Sequence, residues 1–570
     1  MRWLLWASVV TALTGCHAFH VDIDGRIEQR ASAPIDMQAS ALDGSPRLLR
    51  PEPTAGMETR IGSVAPQSDI LHISWETETP QPNKDKQDQK SMLDRLQPPE
   101  TLLGVKVPDI QMAPSKATDV EKDAFFKKQF PPLQAIPKLP EPKLGRDGRA
   151  MTLNDLQQIA LRTNPTIRQA HQEIQAARGA ALQAGLYPNP SIGYEGSTVG
   201  QGNENGVRSP GQEGGFIAQT IVTAGKLTIA RQAALQEVQI SEQRLKQTEA
   251  DVQANVRRGY FAVLSAQKKF ETSKALAQLT DELYDVLLLQ MKIGEVAAYE
   301  PMQIRVLALE ARVRLVQAHN RYISAWRQLA ATLGTPGEPL TAVAGKIDMP
   351  VPHFDHDAVL AYVLANHTDV LAAQQGVYKA RFLERLAEVQ PIPDLAVYVA
   401  FQKDYTTPPY GLVANVGVGV PVPFWNRNQG NIQAARAMVG KAQAENLRVR
   451  NELTGKIAEA FERYDNNRTL LVMYKTQILP NQVQAFRAGV ARHAAVGDKT
   501  VSYNDLVIAQ QTLEVLIHSY LGVLSEQWVA TVDIAHLLQT RDLFQMQALD
   551  DVAPIPDVYE LYRERPLRRR

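Results

Sequence analysis

The sequence predicts a mainly α-helical chain with a small membrane β part. Three observations carry that prediction. A unit recurs with a shift of 203 residues, each copy holds two short alternating runs between helices, and long Pro-free amphipathic stretches follow each pair of runs. Each copy therefore reads helix, strand, strand, helical hairpin.

The repeat rests on particular residues. Leu161 matches Leu364, Ala170 matches Ala373, Gln172 matches Gln375, and Ala177 with Arg178 matches Ala380 with Arg381. Pro188 and Pro190 fall in register with Pro391 and Pro393. Alanine matches arise readily between helices, but an arginine and two prolines in one register mark a duplication. The paired Pro-x-Pro elements are read as helix-to-strand breaks, because proline ends a helix and disfavours it in the residue before.

The chain has 570 residues, with 61 Lys and Arg against 61 Asp and Glu. A net charge of zero gives no electrostatic case for nucleic acid. Cys16 is the only cysteine, so no disulfide can form within one chain. Residues 1–15 are laid out as a signal peptide, with Arg2 before an apolar run from Trp3 to Leu13. Leu13, Thr14, Gly15 and Cys16 have the pattern of a bacterial lipobox, which makes Cys16 the expected lipid attachment point. Residues 16–150 are rich in Pro, Asp, Lys, Gln and Ser, as in "ETETPQPNKDKQDQK". That composition predicts a lipidated, largely disordered arm, since little apolar surface is available to offset chain entropy.

The first repeat is expected over 151–345. Its helical period opens after Thr152 with Leu153, Leu156, Ile159 and Ala160, and Asn164 before Pro165 caps a second helix. Strands are expected at about 190–196 and 216–222, with a polar Gly- and Asn-rich loop between them. From Lys226 to Lys292 there is no proline, and Leu227, Ala234, Val238, Ser241, Leu245, Thr248 and Val252 recur at heptad spacing. At about 1.5 Å per residue such a helix is about 100 Å long. A hairpin turn is placed at about 293–299 and the return runs to Leu333, closed by Gly334. The second repeat, 346–545, has strands at about 394–402 and 412–420, a helix from about Ile432, a turn at about 495–504 and a return to about Leu543. Residues 546–570 are read as a basic C-terminal tail.

Four strands cannot close a barrel in lipid, where unpaired edges are costly. Oligomerisation is required, and three chains would supply a 12-stranded trimeric β-barrel above long antiparallel coiled-coil helices.

With these elements in place, residues 150–545 resemble the outer membrane efflux protein family, the TolC-like trimeric exit ducts. "TNPTIRQA" is similar to the family's Asn-Pro element, and "VPVPFWNRNQGNI" resembles the segment that joins the last strand to the second hairpin, leaning toward the CzcC-like and CusC-like heavy-metal branch. His367 and Thr368 depart from the pattern, standing where the first repeat has Asn164 and Pro165. The resemblance implies a homotrimeric outer-membrane exit duct of a tripartite, RND-type efflux system, extending into the periplasm. It implies a periplasmic adaptor protein as partner and, through it, an inner-membrane pump that supplies the energy. The duct would be a passive conduit for small toxic solutes or metal ions. A type I secretion duct shares the fold, and a non-conducting coiled-coil envelope lipoprotein is the reading from another class.

By the same resemblance the hairpin turns form the periplasmic tip. Gly294, Glu295, Val296, Gly497, Asp498 and Lys499 are the expected adaptor contacts, and Asp505, Asp498, Glu300 and Tyr503 the gate candidates. Rings of carboxylates in a narrow pore attract cations and repel each other. The competing reading is that acids at helix starts simply answer the helix dipole. "PHFDHD" around His353 and His356 contains metal-ligand chemistry, yet its position at the start of a helix suits a loop with a capping Asp. No catalytic motif is present: no Gly-x-Ser-x-Gly elbow, no phosphate loop and no paired-His zinc pattern. No enzyme activity, cofactor or resident metal is expected.

Overall fold

The computed structural model describes residues 101–102, 105–106, 118–133, 135–136, 140–145, 147–200, 211–293, 296–493, 503–544 and 549–556. All lie in the unit Glu100–Arg570. Cys16, Gly294, Glu295, Gly497, Asp498 and Lys499 lie outside the described residues.

In chain order the elements are β1 (Thr101–Leu102), β2 (Val105–Lys106), α1 (Asp119–Gln129), α2 (Leu153–Thr163), α3 (Pro165–Ala184), β3 (Ser191–Ser197), β4 (Gln212–Ile221), α4 (Lys226–Lys292), α5 (Tyr299–Thr332), β5 (Val351–Pro352), α6 (His356–Asn366), α7 (Thr368–Val389), β6 (Leu395–Asp404), β7 (Leu412–Gly419), α8 (Gln429–Met473), a π-helical turn (Tyr474–Ile478), α9 (Leu479–His493), α10 (Tyr503–Leu537) and β8 (Leu549–Asp550).

Local chemistry sets these boundaries. Thr152 caps α2, its hydroxyl accepting from the Asp155 N–H while the Asp155 carboxylate accepts from the Thr152 N–H. Asn164 Oδ1 accepts from the Thr166 N–H at 2.9 Å, with Pro165 in the first turn of α3. His367, which departs from that pair in the sequence, caps α7 in the same way, with its Nδ1 accepting from the Asp369 N–H at 3.1 Å. Both long descending helices start from a residue in the left-handed region, Gly225 at φ 65° and Asn428 at φ 60°. Glycine adopts that region without cost, and asparagine is among the few other residues that do so readily.

The return helices end alike. After α5, Gly334 takes φ 81° and the Thr335 N–H donates back to the Ala330 carbonyl. After α10, Gln539 takes φ 54° and the Thr540 N–H donates to the Ala535 carbonyl. The helix therefore ends at Leu537, not near Leu543 as the sequence predicts. Glutamine is not a usual helix stop, and here tertiary hydrogen bonds to Gln247 and Thr368 hold it in place.

The strands pair as one antiparallel sheet in the order β3-β4-β6-β7. The central pairing, β4 with β6, joins the two repeats over ten residue pairs, from Gln212 with Asp404 to Ile221 with Leu395. β4 starts at Gln212, earlier than the predicted 216, because Glu213, Gly214 and Gly215 pair with Lys403, Gln402 and Phe401. A Gly-Gly run reads as loop in a sequence, yet here it lets β6 backbone approach closely.

Two expectations need correction. The arm does not stay largely disordered to residue 150. α1 is helical, Phe130 is buried against Met291 and Ala298, and Lys143 and Met151 bridge to Thr341 and Val343. Composition alone hid this, because the few apolar residues of the arm are spent on single contacts along α4 and α5. Nor is everything after 546 a tail: β8 pairs with β5, and Ala553 and Ile555 are buried.

The main core lies where the helices of both repeats converge. Trp528 of α10 stacks on Phe261 of α4 with ring centroids 4.1 Å apart, and its indole N–H donates to the Ile347 carbonyl at 2.8 Å. Such a pair contributes about 0.5–1.5 kcal/mol beyond the area it buries. Arg257, also buried, donates to the carbonyls of Thr540 and Arg541 and so holds the chain just past the end of α10. A second core gathers Phe354, Val363, Ile457, Phe461 and Ile534 around α6, α8 and α10. Among the described residues α10 is the helix apolar enough to cross a membrane, but Leu513, Ile517, Leu521, Leu524 and Trp528 are fully buried, which marks it as a core helix.

Candidate channel wall and tip

The sheet sorts its side chains by register. Ile192 and Tyr194 of β3, Ile217 and Ile221 of β4, Leu395, Val397, Val399 and Phe401 of β6, and Leu412, Val416 and Val418 of β7 share one face. Many of them are exposed in the single chain, among them Ile192, Tyr194, Phe401, Leu412 and Val416. The opposite face is mixed: it carries Ser191, Glu195, Thr220, Gln402 and Asn415, with the Asn415 amide donating to Gln402 Oε1 at 2.7 Å, but also Phe216 against Tyr398, with Val413 and several alanines. From Leu395 to Phe401 the apolar face rises about 20 Å at roughly 3.3 Å per residue. That approaches the ~25 Å apolar band of outer-membrane barrels. A charged pair, Glu213 opposite Lys403, closes the face at its loop end. At the other end Phe424 and the 90% exposed Trp425 stand between β7 and α8, the chemistry of an interfacial aromatic girdle. Among the described residues both edges, β3 and β7, are unpaired.

The second Pro-x-Pro break is fixed from the first repeat, and the first break from within its own repeat. The Thr223 hydroxyl donates to the Pro393 carbonyl at 2.7 Å, and the Thr223 N–H donates to Asp394 Oδ1 at 2.9 Å. Lys226, buried at the start of α4, reaches the Ile392 carbonyl and Asp394 Oδ1 with its Nζ, the latter at 2.9 Å. The Pro188 carbonyl accepts from the Gln219 amide at 2.9 Å. Pro190 leads directly into β3 and Pro391 follows the end of α7.

At the hairpin ends, Glu300 lies half-buried in the first turn of α5 and Asp505 is exposed in the first turn of α10. Both positions also suit the helix dipole. Tyr503 starts α10, and Val296 is half-buried against the main core. The two hairpins meet at a contact that sequence reasoning missed. Arg314 of α5 donates to Glu514 Oε1 of α10 at 2.8 Å, with Glu514 only 9% exposed and His518 Nε2 3.8 Å from the same oxygen. The pair lines a cleft with Leu283, Leu307, Val507 and Gln510. Its signal lay in α10, where Gln510, Glu514 and His518 recur every four residues in an otherwise apolar helix. Glu514 holds the Arg314 guanidinium above its ordinary range through a hydrogen bond and charge. Burial pushes the His518 imidazole down against the pull of Glu514, and Lys269 and Arg314 push the same way as burial.

The His353 and His356 stretch serves structure. Asp355 caps α6, accepting from the Ala358 N–H at 2.8 Å, and His353 lies 3.5 Å from Asp550, which Arg468 also pairs. Among the described residues no three His, Cys, Asp or Glu come together as a metal site.

A four-stranded sheet with one apolar face, set on two helical hairpins in a duplicated unit, matches known proteins. Residues 156–335 match the Outer membrane efflux protein family. That match spans about a third of the chain. The chain is 25% identical over 390 residues to the Cobalt-zinc-cadmium resistance protein CzcC of Cupriavidus metallidurans, covering 68% of this chain and 90% of the relative. The fold matches that of CusC, with a TM-score of 0.54 and 17% identity over 71% of this chain and 98% of that one. It also matches the open state of the MtrE outer membrane channel of Neisseria gonorrhoeae, at 0.52 and 16% over 71% and 98%. The fold of the body thus matches that of solved outer-membrane channels.

Proposed function

We propose that this chain is the protomer of a trimeric outer-membrane exit duct, anchored by a lipid on Cys16 and extending into the periplasm. The observation that carries the reading is the sheet: an apolar face about as tall as a membrane band, an opposite face on which the buried Gln402 pairs with Asn415, and two edges left open among the described residues. Pairing β3 of one copy with β7 of the next closes twelve strands and removes every edge, which lipid requires. The opposite face then lines the pore. Below it, exposed heptad rows on α5 (Val306, Leu309, Val313, Val316) and on α10 (Ile508, Val515) lie at similar heights above the tip, suited to contact between neighbouring copies.

In this reading the tip residues Gly294, Glu295, Val296, Gly497, Asp498 and Lys499 meet a periplasmic adaptor, which links the duct to an inner-membrane pump. Cargo moves passively, and the pump supplies energy. Asp505, Asp498 and Glu300, with Tyr503, form the narrow end, where repeated carboxylates favour cations. The cobalt-zinc-cadmium resistance for which CzcC is named supports metal ions among the small toxic cargo. A purely structural bridge would have no use for a two-faced sheet.

The test is single-channel conductance of the purified full-length oligomer in a planar bilayer, for wild type, Asp505→Ala and Asp498→Ala. Cation-selective conductance that rises or loses selectivity in the variants is expected. A folded oligomer that conducts in none of these forms, even with the tip pair broken by Glu514→Gln, overturns the duct.

A further inference from the structure

The last part of the arm runs along the outside of the α4–α5 hairpin. Phe130, 3% exposed, packs on Met291 and Ala298 beside the turn, with Phe126, Leu288 and Met302 around it. The Tyr284 hydroxyl donates to the Pro131 carbonyl at 3.4 Å. Ile136 packs on Ala277, Ala311 and Leu315. Met291 and Ala277 stand about 21 Å apart along α4 at roughly 1.5 Å per residue. Phe130 and Ile136 are six positions apart, a spacing that can reach about 20 Å. The two anchors therefore lie one above the other along α4, Ile136 farther from the tip. Ala277, Tyr284 and Met291 stand at heptad spacing on α4, and the segment meets each of them. Lys143 then ties the segment to Thr341 beside the main core.

The second hairpin is built differently at the same height. The 203-residue shift that pairs Gly225 with Asn428 pairs Ala277 with Pro480. Ala277 is fully buried in an unbroken helix, whereas Pro480 is exposed and follows the π-helical turn Tyr474–Ile478. Proline cannot donate to the helix ladder, and a π turn is the local adjustment that accommodates it.

We propose that the arm from Asp119 to Ile136 is a splint: docked on α4, it stiffens the first hairpin of this chain and protects its backbone from local opening. Amide hydrogen exchange is followed on the full-length oligomer carrying Phe130→Ser and Ile136→Ser. Exchange across 277–291 and 299–311 should speed by about tenfold or more, the mark of lost local protection, with 479–493 and 503–514 unchanged. Val120→Ser, at an 80% exposed position on α1, serves as control and should change neither hairpin. Unchanged exchange along 277–291 in the double variant overturns the splint. Ile136→Cys with Ala277→Cys gives a second route that keeps the splint docked. Once the pair is cross-linked, exchange in 479–493 and 503–514 should stay as in wild type. Equal slowing of both hairpins shows that they move as one body and also overturns the proposal.

Discussion

The two hairpins are copies of one unit yet differ in build. α4 is continuous for 67 residues and is covered on one side by the arm, while its counterpart is divided by a π turn into α8 and α9. Their start caps match in conformation, Gly225 against Asn428, and so do the stops after α5 and α10, Gly334 against Gln539. The difference is confined to mid-helix and to what packs there. Duplication thus fixes where a helix starts and stops, while single substitutions and an added segment decide how freely it bends.

The largest expected effect comes from exchanging the two mid-helix residues. Ala277→Pro removes a helix hydrogen bond, clashes with the preceding turn and displaces Ile136, at a cost of about 3 kcal/mol or more. It should lower the thermal unfolding midpoint of the oligomer markedly. Pro480→Ala should instead raise that midpoint and slow exchange across 474–493; a lower midpoint would refute the contrast between the hairpins.

Next comes the contact between them. Arg314→Gln leaves the buried Glu514 short of its partner, and with Arg314 half-exposed the cost is about 1–2 kcal/mol. Tip opening, read as open probability in planar bilayers, should increase. Charge reversal at both positions, Arg314→Glu with Glu514→Arg, should restore much of it.

Acidification probes the same place with a defined sign. Folding holds His518 below its ordinary value of 6.5, so the unfolded chain binds the extra proton more readily. The stability this contributes is complete above that ordinary value and is lost as pH falls through the depressed one. The midpoint should therefore drop between pH 7 and about pH 5, and His518→Gln should flatten part of that drop. His367, also pushed down by burial, acts in the same direction and accounts for part of the remainder.

The smallest effect is expected from Asn428→Gly, which copies Gly225. The gain of about 1 kcal/mol from an unstrained left-handed residue is offset by loss of the Asn428 amide bond to the Ala387 carbonyl. A change in the midpoint beyond a degree or two would mean that the two caps are not equivalent.

Legibility in the sequence followed range. Asn164 with Pro165, the Pro-x-Pro pairs and Gly334 act on neighbouring backbone, so they announce their elements directly. Alternation announced three of the four main strands closely, but Gly214 and Gly215 gave no sign of their pairing with β6. Gln539 ends a helix only because Gln247 and Thr368, far away in sequence, receive its amide. Arg314 and Glu514 are two hundred residues apart, and no local pattern joins them. The arm was misread for a related reason: Phe130, Leu133 and Ile136 recur every three residues, a spacing too short-lived to mark a helix or a strand, and their partners on the helices lie far away in sequence.

The β4–β6 pairing also bears on how such a ring would be put together. Each chain has already joined its two halves before it meets another, so a trimer has three seams left to close, where six separate half-units would have six. Fewer collisions are needed, and no ring can form with an odd number of halves. Fusing the repeats into one polypeptide thereby acts on assembly kinetics and stoichiometry as much as on shape.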